Sequence, residues 1–167
     1  LTGINYWSDK LKKAASASTA FERGEFIVSQ WKPFTLFMQK QGPEREPVLY
    51  ALKHCAFSNA LKHYQSLYRE DGTSQDPELY RKTGLCFKAL GDYERSLHLL
   101  ELAKDGSKDS PAILAELADC YALCGETRLA KVLFREAFFL GADAVDLHFL
   151  ESEIIQRLVS QVHALGY

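Results

Sequence analysis

The side chains able to do chemistry in this chain are few and scattered. Cys120 and Cys124 stand four apart, a spacing that puts both on one face of a helix and that some metal and redox sites use. A zinc site wants four ligands, and Cys86 is the only obvious third. The five histidines, His54, His63, His98, His148 and His163, fall in different expected helices with no partner at metal-ligand spacing, and partial exposure is expected for each. There is no HExxH, and the ten glycines are dispersed at helix ends and turns rather than gathered into a phosphate loop. The paired acids Glu116 and Asp119, or Glu151 and Glu153, are spaced as a solvated helix face is, which assigns them no acid–base role. No nucleophile with a base is found either, so the expectation is a protein without catalysis, metal or cofactor.

Composition narrows the partners. The chain has 167 residues, 47% apolar and 25% charged, which suits one folded domain or a short array of stacked units. Lys and Arg number 20 against 22 Asp and Glu, and a net charge of −2 offers no general attraction to phosphate backbones or anionic lipid. Nucleic acid and membrane insertion are therefore not expected, since no apolar run reaches the length of a span. The cysteines Cys55, Cys86, Cys120 and Cys124 are read as free thiols of a reducing, cytoplasmic compartment. The first residue is Leu1, which fits a cut or processed end.

The elements that would position these residues are helices. Apolar residues recur at three and four, and the spacing predicts helices at Ile4–Ala17, Thr19–Gln41, Glu46–Cys55, Ser58–Glu70, Pro77–Leu90, Asp92–Lys104, Ser110–Cys124, Glu126–Leu140 and Val145–Leu165, with no strand. The stretch "GLCFKALGDYERSL" is part of a unit that returns. "PELYRKTGLCFKALGDYERSLHLLELAKDGSKDS" aligns with "PAILAELADCYALCGETRLAKVLFREAFFLGADA", so that Pro111 follows Pro77 by 34 residues. Gly84 then lies over Ala118, Phe87 over Tyr121, Gly91 over Gly125, Ser96 over Ala130, Leu100 over Phe134 and Ala103 over Ala137. Small Gly84 and Ala118 allow a close helix approach, Phe87 and Tyr121 fill the space between helices, and Gly91 and Gly125 close the first helix of each unit. Cys86 and Cys120 also coincide, which makes them small apolar packing positions rather than ligands.

This pattern resembles the tetratricopeptide repeat, a 34-residue helix–turn–helix unit, across Pro77 to Ala144. The resemblance implies an all-α, short right-handed superhelix of stacked antiparallel helix pairs. Residues 77–110 and 111–144 are the two clear units. A degenerate pair is expected over 43–76, where Phe57, Ala60, Leu61 and Tyr64 match Tyr93, Ser96, Leu97 and Leu100 at a shift of 36. Residues 1–42 show no copy. They carry Tyr6, Trp7, Phe21, Phe26, Trp31, Phe34 and Phe37, read as helices packing on the end of the solenoid or as a homo-oligomer or partner surface. Residues 145–167 read as an amphipathic capping helix.

In the resembling family the first helix of each unit lines a concave groove that receives a peptide or a helix of a partner. The positions that would project there are Glu78, Arg81, Lys82, Leu85 and Lys88 in the first unit. In the second they are Ala112, Ala115, Glu116, Asp119 and Ala122, followed by Asp146, Phe149 and Glu153 beyond it. The carboxylate-gripping subtype is not expected, because Leu85 stands where an asparagine is needed and Asp119 is acidic. The resemblance implies a non-catalytic adaptor or scaffold that binds another protein. A chaperone for secreted or membrane-associated clients and an accessory domain of a larger protein are the alternatives.

Overall fold

The computed structural model describes residues 40, 42, 46–142 and 150–165, and every regular element among them is an α-helix. These helices are α1 (Glu46–Ser66), α2 (Pro77–Ala89), α3 (Tyr93–Gly106), α4 (Pro111–Leu123), α5 (Thr127–Phe139) and α6 (Glu153–Ala164). They fall into two compact units, divided between Asp71 and Gly72, with α1 in the first and α2 to α6 in the second. The helix expected at Ile4–Ala17, almost all of that at Thr19–Gln41, and the seven aromatics of that stretch lie outside the described residues.

In the first unit, α1 is one uninterrupted helix of 21 residues where the sequence reading placed a helix pair over 43–76. No glycine or proline stands between Glu46 and Ser66 apart from Pro47 in the first turn, so nothing obliges the chain to turn near Cys55. Phe57, Ala60 and Tyr64 share one face of α1 and are buried.

The second unit is built from two helical hairpins, and each begins and closes by the same local chemistry. Asp76 caps α2 by accepting from Glu78 N at 3.0 Å, and Ser110 caps α4 by accepting from Ile113 N at 3.4 Å. In both cases a proline, Pro77 or Pro111, takes the first helical position, where its missing N–H has no partner to lose. Both helices end on a glycine in the left-handed region, Gly91 at φ 86° and Gly125 at φ 87°. The next residue's N–H then folds back onto the last turn, Asp92 N to Phe87 O and Glu126 N to Tyr121 O, each at 2.9 Å.

Within each hairpin the helices pack closely, α2 on α3 and α4 on α5, while α4 also touches α2 and α3. Gly84 is where the first pair meets: a Cβ there would sit 2.9 Å from Leu100 Cγ, and Ser96 Oγ donates to the Gly84 carbonyl at 2.7 Å. The apolar core gathers around α4, whose Ile113, Leu114, Leu117 and Ala118 are buried with Leu100, Ala103, Ala130, Phe134 and Ala137. Ile155 of α6 belongs to the same cluster, and α6 rests on both α4 and α5.

Of the expected last helix, Val145–Leu165, the stretch 145–149 lies outside the described residues, and the described part is not helical throughout. Residues 150–152 are not helical, and α6 begins at Glu153. The reason is a side chain elsewhere: the N–H groups of Glu151 and Ser152 donate to the Asp119 carboxylate, at 2.9 and 2.7 Å, which anchors the helix entry on α4.

Candidate functional site

Ten of the positions proposed from the sequence for a binding groove lie on α2 and α4, and the structure ties five of them into ion pairs. Lys88 reaches from α2 to α4, where Nζ lies 2.8 Å from Asp119 Oδ2. Both side chains are buried, at 1% and 0% exposure, so this is an ion pair removed from solvent. Asp119 also holds the N–H groups of Glu151 and Ser152, and its two oxygens join α2, α4 and the entry to α6 at one point. A carboxylate taken out of water is tolerable only with such a set of donors.

A second pair lies beside it. Arg81 Nη1 donates to Glu116 Oε1 at 2.7 Å, while Nε and Nη2 bond the Glu78 carboxylate at 3.0 Å. Glu116 is buried, Glu78 is exposed and Arg81 lies between them in depth, so the guanidinium spans the boundary between solvent and core. Burial works to lower the Arg81 and Lys88 pKa values, but the facing carboxylates outweigh it and hold both cations above their ordinary range. Burial pushes the Glu116 carboxyl up, against the pull of Arg81 and Lys88, and its Oε2 has no partner among the described residues.

Several of these positions sit in a setting different from the one the sequence suggests. Glu116 and Asp119, expected as a solvated face, are both buried. Leu85, Lys88 and Ala115 are buried too, and Arg81 is engaged by two carboxylates. Glu78, Lys82 and Ala112 keep contact with solvent, while Asp146 and Phe149 lie outside the described residues. The structural positions Gly84, Ala118, Ala130 and Ala137 are buried between helices, Phe87 and Tyr121 are half-buried, and Gly91 and Gly125 are exposed turns. The coupling of Asp119 to the α6 entry had no sequence signal, because a carboxylate can cap a helix that is distant in the chain as well as its own.

No protein-family model matches this chain, and no curated protein matches it either.

Cys86, Cys120 and Cys124 are free thiols, and among the described residues no three His, Cys, Asp or Glu side chains form a group that could hold a metal ion. Burial pushes the Cys86 thiol up to about 12, helped by Glu116, and burial likewise raises Cys120 to about 11. Both stay protonated and unreactive at neutral pH. His63, expected to be partly exposed, is buried on α1, where its ring lies 5.5 Å from that of Tyr64. No helix among the described residues is long and apolar enough to cross a membrane.

Proposed function

We propose that this chain is a short solenoid of the tetratricopeptide type that acts as a non-catalytic adaptor, binding a segment of another protein. The observation that carries the reading is the recurrence, 34 residues apart, of the same hairpin. Each has proline at the first helical turn, a close helix contact at Gly84 or Ala118, and a left-handed glycine at Gly91 or Gly125. Stacked hairpins of this kind build extended surfaces rather than enclosed catalytic pockets. The Lys88–Asp119 and Arg81–Glu116 pairs tie α2 to α4, which suits a scaffold that presents a fixed surface. Leu85, Lys88, Ala115, Glu116 and Asp119 then serve the fold, and on that face Glu78, Lys82 and Ala112 keep contact with solvent.

The test is retention of protein from an extract of the producing cells on immobilised chain, followed by rebinding of the retained protein in purified form. The expected result is one saturable partner with a Kd tighter than about 10 μM. Absence of any saturable partner would overturn the adaptor reading.

A further inference from the structure

Most large apolar residues in the second unit are covered, but a group on α5 and its C-cap is not. Phe139 is 87% exposed, Val132 57%, and Leu129 and Leu140 are both 41%. Leu129, Val132, Glu136 and Phe139 follow one another at intervals of three, four and three, which places them in a single stripe along the helix. That spacing is the a and d pattern by which one helix receives another. The opposite side of α5, with Ala130, Leu133, Phe134 and Ala137, is already spent on the core.

Arg128 and Arg135 are seven residues apart on the same flank of the stripe, and Lys131 lies on that side too. All three are exposed, and among the described residues none makes a hydrogen bond, ion pair or ring contact. They differ in this from Arg81 and Lys88, whose charges are spent inside the fold. Free cations beside an apolar seam set the chemistry of the occupant.

We infer that the outer face of α5 is a docking surface for an acidic amphipathic helix of a partner protein, an assignment that rests on the adaptor reading. The partner lays apolar residues along Leu129, Val132 and Phe139, and places Asp or Glu opposite Arg128 and Arg135. Two copies of this chain would not serve each other this way, since an antiparallel pair of α5 helices brings arginine flanks together. An anionic lipid surface fits less well, because Glu136 sits within the stripe and would be pressed toward the acyl chains. A partner helix can instead set a Lys or Arg against it.

The experiment is a fluorescence anisotropy titration of the whole chain with a synthetic three-heptad peptide. It carries leucine at its seam, one lysine to face Glu136, and glutamate on both flanks. A second peptide has lysine on its flanks, and vesicles of mixed phosphatidylserine and phosphatidylcholine form a third arm. The acidic peptide is expected to bind at least about tenfold more tightly than the basic one, and more weakly as salt rises. The double change Arg128→Glu, Arg135→Glu should reverse that preference, and Phe139→Asp should abolish binding. All three positions are exposed, so helicity by circular dichroism should be unchanged. Failure of the acidic peptide to bind, or a preference unmoved by charge reversal, would overturn the assignment, as would binding to vesicles alone. A cellular partner that is retained equally by these variants would sink the α5 assignment and leave the adaptor reading in place.

Discussion

At the residue scale, Lys88 of α2 and Glu116 and Asp119 of α4 belong to the core. Lys88 and Asp119 were legible as positions on one face of each unit and not as a pair, because the helical period says which face a residue shares and not what covers that face. Asp119→Ala is expected to cost about 3–5 kcal/mol, since the Lys88 ammonium stays inside without its carboxylate and two backbone donors lose their acceptor. Lys88→Met should cost clearly less, because Asp119 keeps the Glu151 and Ser152 N–H groups. Urea unfolding of both variants measures the difference, and equal losses would contradict the account. The thiols add a pH dependence. Cys86 moves from 9.0 to about 12, Cys120 from 9.0 to about 11, and Tyr121 from 10.0 to about 12, pushed by burial and, at Tyr121, by its bond to Glu101 as well. A proton held more tightly in the folded chain stabilises fully below the unfolded pKa and stops doing so as pH rises through the folded one. The urea midpoint should therefore decline from about pH 9 upward, the region of the unfolded thiols. In a Cys86→Ala, Cys120→Ala protein the decline should begin about one pH unit later, where Tyr121 takes over.

At the scale of elements, the hairpins were readable almost to their ends because their signals are local. Pro77, Pro111, Gly91 and Gly125 act through backbone geometry that needs no distant partner, and the helices begin and end within about a turn of where those residues put them. Where the local signal was missing, at Cys55 to Ser58, a single helix α1 replaced the expected pair. Gly125→Ala forces a Cβ into the left-handed region and should lower stability by about 1–2 kcal/mol. Gly84→Ala tests a different effect, contact rather than conformation, since its Cβ would press on Leu100 Cγ at 2.9 Å. It should cost about 1–3 kcal/mol despite the better helix propensity of alanine, and a rescue by Leu100→Val would identify the clash as the cause. The attachment of α6 depends on Ile155, which is wholly buried, and Ile155→Ala should cost about 2–5 kcal/mol by thermal or urea unfolding.

For the whole molecule, the consequence is a division of labour between two helix faces. The inner face of α2 and α4 is closed by ion pairs and by the chain leading into α6, while the outer face of α5 leaves Leu129, Val132 and Phe139 uncovered beside three cations that have no partner among the described residues. The sequence pointed to the first face because repeat positions can be aligned. It was silent on the second, although the three-four-three spacing from Leu129 to Phe139 was there to be read, because an apolar residue on a helix is expected to face the core until the core is known. The most direct measurement is photo-crosslinking in the producing cells with benzoylphenylalanine placed at Val132 in one protein and at Ala112, on the rim of the α2–α4 face, in another. The account predicts a covalent adduct with one protein from position 132 and none from position 112. An adduct from position 112 alone would contradict it and return the binding surface to the face that the repeat pattern first suggested.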